Sequence, residues 1–307
     1  MPVHTGSVQS VFQAMKFFSQ GRNGWLNWLT AALGCQAFLA SAVSAIPVPE
    51  SLANRDACSN STHPNPVVIL HGLGANKNED LNYLEMFLQQ QGFCTFSLTY
   101  GAYPGFPFIG GLQPIATSAP EIGAFIHQTL TLSGASKVDI VGHSEGGFQS
   151  LYVSKFEGVA PVVDKIVAIA PPTHGTTVSG LYELAYVLGS ASRTIVGELL
   201  NTLGCAACND LGPGGAAVTK LNDNTPIVQL GNTLTVIASK SDEVNTPTDT
   251  AFVNEAGVQN IYVQDYCPQD PVGHIGEAYD MNVWNLVLNA LNSTPSRAFT
   301  CVIGSPG

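Results

Sequence analysis

The decapeptide Val138 to Gly147, VDIVGHSEGG, constrains what this chain can fold into more than any other stretch. A β-branched run leads straight into Gly142-His143-Ser144-Glu145-Gly146, and the GFQSLYVSKF that follows has the composition of a helix. A serine on so short a strand-to-helix connection sits on a sharp turn with a strained backbone. Glycine is then needed two residues before and two after it, because a Cβ there would strike the neighbouring strand or helix. The elbow glycines Gly142 and Gly146 supply space, and Ser144 supplies a nucleophile. The β-branched strand before the pattern and the helix-compatible run after it set it apart from an ordinary strand-to-helix turn.

A serine hydroxyl is a weak nucleophile at neutral pH, so a general base must take its proton and a carboxylate should orient that base. On an elbow of this kind the acid and then the histidine follow the serine in chain order, each after a later strand. Asn232 to Ser239 (NTLTVIAS) reads as a strand and opens into the polar, proline-containing loop KSDEVNTP, where Asp242 is the preferred acid and Glu243 its local rival. Asn260 to Gln264 (NIYVQ) reads as another strand, and beyond it His274, flanked by Gly273 and Gly276 in a loop, is the base. The other histidines are assigned elsewhere. His4 lies in a segment expected to be removed, His63 in a polar stretch, and His127 on a helix face. His71 and His174 shape loops, and His143 packs and hydrogen-bonds beneath the serine.

The oxyanion formed by attack on an ester needs about two preorganised N–H donors. One is the amide of Glu145, the residue after the nucleophile. The second is assigned to Leu73, because the strand Pro66 to Leu70 runs into His71-Gly72-Leu73-Gly74 and glycines on both sides let that amide turn into the site. Taken alone, HGLG is a plain glycine turn; the elbow gives it a role.

Apolar runs at 67–70, 94–98, 137–141, 165–170, 233–239 and 260–264 alternate with helical patterns near 79–91, 116–132, 146–156 and 278–292. Such alternation predicts an α/β fold with a mainly parallel sheet covered on both faces and the site at the carboxyl ends of its strands. Within a region of about 174–225, Leu181, Leu184, Ala185 and Leu188 recur at helical spacing and read either as a cap or lid over an acyl pocket or as a helix packed on the core. The aromatic, proline-rich loop Tyr100 to Pro114 is expected to line the substrate side.

HGLGAN after an apolar strand, VDIVGHSEGG, APPTHGTT at 170–177, CAAC at 205–208, SDEVNTP at 241–247 and QDYCPQDPVGHIG at 264–276 together resemble the secreted class 2 lipases and esterases, known from actinobacteria and fungi. The likeness runs from about Asn65 to the C-terminus. It implies an α/β-hydrolase fold acting on carboxylic esters, triacylglycerols included, with Ser144, Asp242 and His274 as the triad and Leu73 and Glu145 at the oxyanion. No cofactor is expected, and although acidic loops such as Asp265 to Asp270 exist, no spacing in the chain specifies a metal. Many relatives carry a neutral glutamine where this chain has Glu145, so a carboxylate here should oppose the oxyanion unless it turns outward or is paired. A short-chain, polyester or natural-product esterase and an acyltransferase are the alternative enzymes. A noncatalytic hydrolase-like binding protein is disfavoured by the complete Ser144, Asp242 and His274 set.

The rest of the chain reads as a secreted protein. Lys16 and Arg22 precede the apolar run Trp25 to Ala45, which ends in Ala42-Val43-Ser44-Ala45 before IPVP. This is a signal peptide over 1–45, with Met15 as a possible start, rather than a membrane anchor, since polar residues interrupt the run. Residues 46–64 form an N-terminal arm or short pro-segment, and 65–307 one catalytic domain of ordinary size for its 45% hydrophobic content. Loss of 1–45 removes two basic residues and no acidic one. That leaves 9 against 22, a formal charge of −13, which disfavours nucleic acid and anionic membranes as partners; an ester or lipid substrate and a monomeric state are expected. Six of the seven cysteines remain, and an even number in a secreted chain implies three disulfides. Of the fifteen possible pairings, the resemblance favours nearest neighbours, Cys58 with Cys94 and Cys267 with Cys301. Cys205 and Cys208 are expected to form a small structural bridge rather than a zinc or redox site. Asn60 and Asn292 open glycosylation sequons.

Overall fold

The computed structural model describes residue 58 and residues 61–177 and 204–305. The chain divides after Ile46, and every described residue belongs to the unit Pro47–Gly307. The 1–45 leader, Asn60 of the first sequon and the apolar stripe Leu181 to Leu188 lie outside the described residues.

Six strands carry the fold: β1 (Val67–Leu70), β2 (Thr95–Leu98), β3 (Val138–His143), β4 (Val163–Ile169), β5 (Thr233–Ala238) and β6 (Gln259–Tyr262). They form one sheet in the order β2-β1-β3-β4-β5-β6, with every pairing parallel. Parallel strands need crossovers. Crossovers include α1 (Asn82–Gln90), α2 (Ile115–Ser133) and α3 (Glu145–Phe156) between the first four strands, with the short helices α4 (Ala206–Asp210) and α5 (Ala216–Leu221) between β4 and β5; α6 (Val263–Tyr266), α7 (His274–Glu277) and α8 (Met281–Leu291) follow β6.

The strands are apolar at successive positions because both sheet faces are buried. Val68, Leu70, Ile140, Ile166, Ala168, Leu234 and Val236 pack with Ile115, Ile122 and Ile126 of α2 and Phe148 and Leu151 of α3. The alternating set Val67, Ile69, Val141, Val167, Ile169 and Ile237 packs with Leu84 and Leu88 of α1 and Val283, Leu286 and Val287 of α8. β1 lies between β2 and β3, so the chain reverses its direction of travel across the sheet there. A crevice opens outside the carboxyl ends at such a point. The register places Leu70 opposite Gly142, which brings the loop after β1 beside the turn after β3.

The elements match the expected strands and long helices, with three local differences. The strand expected to reach Gln264 ends at Tyr262 and turns into α6, the segment bearing His274 is helical from that residue onward, and α2 already starts at Ile115 with Pro120 in its interior. The cysteines pair as Cys58–Cys94, Cys205–Cys208 and Cys267–Cys301. Among the described residues no helix is long and apolar enough to cross a membrane.

Candidate active site

Ser144 occupies the turn between β3 and α3 with φ 54° and ψ −119°, a left-sided conformation that costs a non-glycine residue about 1–3 kcal/mol and needs its surroundings to hold it. Part of that hold is the Ser144 amide, which donates to the carbonyl of Ile169 on β4 at 2.8 Å. The two elbow glycines have steric reasons to be glycine. A Cβ on Gly142 would stand 2.2 Å from the carbonyl oxygen of Gly146, and one on Gly146 would stand 2.1 Å from that of Leu70.

The three residues expected to act together are brought together across the sheet. Ser144 Oγ lies 2.9 Å from His274 Nε2, and His274 Nδ1 lies 2.8 Å from Asp242 Oδ2. All three side chains are buried. Asp242 comes from the loop after β5, where its other oxygen accepts from the amides of Val244 and Asn245 at 2.9 and 2.8 Å. Burial pushes the Asp242 carboxyl upward, but His274 and the two amides outweigh it, so it sits below its ordinary 3.8 and stays charged. The rival Glu243 is also engaged, at a different atom: its Oε2 accepts from the His274 backbone amide at 3.0 Å.

His274 opens α7 rather than lying in an open loop. Gly276 is required there by a close approach of the C-terminal tail, whose Ser305 carbonyl would be 2.6 Å from a Cβ at that position. The same carbonyl accepts from the Gly273 amide. The tail is tied down by the Cys267–Cys301 disulfide and by Asn282, which donates to Asp270 and to the Val302 carbonyl.

The loop after β1 is fixed on both sides of Leu73. The Gly72 amide donates to Asp80 Oδ2 at 2.6 Å, and the Gly74 amide to the Gly110 carbonyl at 3.0 Å. Among the described residues neither the Leu73 amide nor that of Glu145 has an acceptor. At Glu145 this is the ordinary state of a first helical residue. These are the two amides expected to serve as oxyanion donors. Behind the loop, the His71 ring stacks on Tyr100 at 4.4 Å, the Tyr100 hydroxyl donates to the His71 carbonyl at 2.7 Å, and burial keeps the His71 ring neutral by lowering its pKa. The aromatic segment after Tyr100 thus buttresses this loop. The Cys205–Cys208 bridge in turn anchors that segment, through the Ala206 amide on the Leu112 carbonyl.

The Glu145 side chain neither turns outward nor pairs. It is fully buried, neither carboxylate oxygen has a hydrogen-bond partner, and its polar neighbour Gln149 donates instead to the Ile115 carbonyl. Burial holds the carboxyl well above its ordinary 4.5, opposed by the nearby Gln149 amide and aided by the charge of Asp210. Burial thus favours the neutral acid form of Glu145 over the carboxylate. Glu277 is a second such group, buried without a partner and raised by burial and then by the charges of Asp242, Glu243 and Asp280.

The remaining histidines take structural places. His63 stacks on Phe93, His127 is exposed on α2, and His174 faces the Phe252 carbonyl. Among the described residues His143, His274 and Glu277 gather ligand atoms within 4.8 Å, but hydrogen bonds already occupy all four ring nitrogens, leaving only Glu277 to a metal. A surface groove of about 840 Å³ beside Asn222 to Asn232 contains none of the three triad residues.

Sequence reasoning missed Asp80, although it is fully buried against both His143 and the Gly72 amide. Nothing in the polar run Asn76 to Asp80 distinguishes it from a solvated turn; only its left-handed φ of 64° and its burial, both tertiary facts, do so.

The class 2 lipase profile, described as Lipase (class 2), matches residues 64–275. Triacylglycerol lipases from Pseudomonas fragi and Pseudarthrobacter phenanthrenivorans are 25% identical over 136 residues and 27% identical over 147 residues. Those matches cover 44% and 45% of this chain and 43% of each relative. The chain thus spans about two fifths of the length of the curated relatives it matches. Lipase B of Aspergillus fumigatus shares 17% identity with it at a TM-score of 0.57, over 80% of this chain and 59% of that one, which establishes the α/β-hydrolase fold.

Proposed function

The chain belongs to the class 2 lipases, and from that premise we propose that it is a secreted serine carboxylester hydrolase that cleaves lipid esters, triacylglycerols among them, through an acyl-serine intermediate. The observation that carries this reading is the unbroken hydrogen-bonded line from Asp242 through His274 to Ser144, with contacts of 2.8 and 2.9 Å. As Ser144 Oγ attacks the ester carbonyl, His274 Nε2 takes its proton and Asp242 stabilises the resulting imidazolium. Charge on the carbonyl oxygen is met by the amides of Leu73 and Glu145. Collapse of the tetrahedral species expels the alcohol, which receives the proton from His274. Water then repeats the sequence on the acyl-serine and releases the carboxylic acid.

A neutral Glu145 suits this chemistry, since a carboxylate beside the developing oxyanion would oppose it, whereas a protonated acid carries no such charge. The triacylglycerol preference is supported by the named activity of the two bacterial relatives. Secretion is supported by three disulfides, which persist in oxidising compartments. Asn292, at the C-terminal end of α8 and partly exposed, is proposed as a glycan acceptor.

Hydrolysis of p-nitrophenyl esters from acetyl to palmitoyl, and of emulsified triacylglycerol, by the native protein and its Ser144→Ala variant tests the proposal. Serine-dependent turnover that extends to long chains supports a lipase, and a confined short-chain preference reassigns it as an esterase. Equal silence from both proteins ends the hydrolase reading.

A further inference from the structure

The loop after β1 and the backbone of His274 are joined through one buried pair, Asp80 and His143. Asp80, between the loop after β1 and α1, accepts from the Gly72 amide with Oδ2 at 2.6 Å and contacts His143 Nδ1 with Oδ1 at 2.9 Å. The other ring nitrogen of His143, Nε2, faces the backbone carbonyl of His274 at 3.0 Å. A carbonyl oxygen only accepts, so Nε2 carries a proton. A carboxylate also only accepts, so Nδ1 carries one as well. With protons on both nitrogens the ring is a cation, and it is fully buried against the anion that balances it.

We propose that Asp80 and His143 form a standing ion pair that positions the catalytic parts, holding the oxyanion loop at Gly72 and the backbone of His274 to one rigid point beneath Ser144. The proposal rests on the acyl-serine reading above and extends it to residues that never touch substrate. Crowding at the junction supports it. A Cβ on Gly72 would lie 3.3 Å from both Asp80 Oδ2 and Ser144 Cβ and 3.5 Å from His143 Nδ1, so these groups are packed to contact. The electrostatics run the same way. Burial opposes charge on each partner, yet their mutual attraction outweighs it, leaving the His143 pKa above 6.5 and that of Asp80 below 3.8. The position of Asp80 is itself fixed, since its amide donates to the Tyr279 hydroxyl at 3.1 Å. Oxyanion donors and base must stay in register to a fraction of an ångström, because a misplacement of about 1 Å costs about 100-fold in rate.

Asp80→Asn separates geometry from charge. Its amide oxygen keeps the Gly72 bond, and its NH₂ donates to Nδ1 of a neutral His143, which still gives its Nε2 proton to the His274 carbonyl. Asp80→Ala and His143→Phe remove the tie altogether. The experiment combines steady-state kinetics on p-nitrophenyl butyrate for these variants with ring ¹⁵N–¹H spectra of the folded Ser144→Ala protein, with and without Asp80→Asn. We expect kcat to fall about tenfold to 100-fold in Asp80→Ala and His143→Phe, with KM within about threefold, and Asp80→Asn to recover native kcat to within about threefold. His143 should still carry both ring protons at pH above its ordinary 6.5 and lose the Nδ1 proton in Asp80→Asn.

Native kcat in Asp80→Ala, no recovery in Asp80→Asn, or a singly protonated His143 ring in the Asp80 protein would each overturn the proposal. If Asp80→Ala and His143→Phe fail to fold, the Asp80→Asn kinetics and the spectra still decide it. Failure of the hydrolase reading would appear separately, as a native protein without esterase activity whose His143 spectrum can still be read.

Discussion

Oε2 of Glu145 fills the space where a side chain on Gly111 would begin: a Cβ there would stand 2.5 Å from that oxygen and 3.2 Å from the Leu73 Cα. Glu145, proposed to supply one oxyanion amide, thus has its carboxyl wedged against the loop of Leu73, proposed to supply the other, and neither carboxylate oxygen has a hydrogen-bond partner. Its charge state must therefore reach both stability and catalysis.

Glu145→Gln tests this. A carboxyl whose folded pKa lies above its unfolded value near 4.5 contributes stability that is complete below that value and is lost as pH rises through the folded pKa. Native protein should therefore lose melting temperature from about pH 5 upward, and the glutamine variant should lose less. Activity should follow, with the native alkaline limb falling earlier than that of the variant as a carboxylate forms beside the oxyanion. Glu277 acts in the same direction, so some slope will remain in the variant. Parallel melting curves from pH 5 to 9 would show that Glu145 does not titrate in the fold. On the acid side the sign reverses: Asp80 and Asp242 sit below 3.8, so the stability they confer is present above that value and is lost as pH falls through their folded pKa.

Asp242 and Glu243 both reach His274, at the ring and at the backbone amide respectively, and kinetics should separate them. Ser144→Ala should lower kcat about 10⁶-fold and Asp242→Asn about 10⁴-fold, since the amide favours the wrong tautomer of the base. Glu243→Gln keeps an acceptor for the backbone amide and should cost less than about tenfold. A larger loss from Glu243→Gln than from Asp242→Asn would exchange the roles of the two acids.

The two classes of glycine in this chain should respond differently to alanine. At Gly146 the obstructing atom is the backbone oxygen of Leu70, 2.1 Å away, which no rotamer change can relieve, so Gly146→Ala should abolish folding or shift the elbow and activity with it. Gly134, the left-handed cap of α2 at φ 73°, has open space around it, and alanine there should cost only about 1–2 kcal/mol in urea unfolding with activity intact. Comparable losses at the two positions would mean that the elbow backbone yields more than its contacts allow.

These contrasts also mark what the sequence makes legible. The elbow glycines, the apolar runs of β1, β3, β4 and β5, and the order serine, acid, histidine are local patterns, and the architecture follows from them. The residues proposed as the triad stand out because each sits just after a readable strand. Asp80 could not be named, since its partner His143 is 63 positions away and its own neighbourhood is that of any polar turn. His143 and His71 look alike in sequence, each a histidine at a strand end. Yet one faces a carboxylate and a carbonyl and is charged, while the other takes the Tyr100 amide on Nε2 and is neutral. The helix opened by His274 was missed because a four-residue turn that follows Gly273 and contains Gly276 has no readable period. Gly276, which reads as loop punctuation, instead admits the Ser305 carbonyl of the returning tail.

Through that returning tail, the Cys267–Cys301 disulfide is expected to hold His274, the proposed base, in place. The bridge closes a separation of 34 residues, worth about 3–4 kcal/mol in the chain-entropy description, so a Cys267→Ser, Cys301→Ser double variant should lose roughly that much stability. The loss should not be purely global. With the tail untethered, the Ser305 carbonyl leaves the Gly273 amide and the Val302 carbonyl leaves Asn282, freeing the backbone immediately before His274. Hydrogen exchange at Gly273 should therefore rise more than at the β3 amides, and kcat should fall at temperatures well below the melting transition, with KM little changed. If the double variant melts earlier yet keeps native kcat and native exchange at Gly273, the disulfide stabilises the domain without positioning the base.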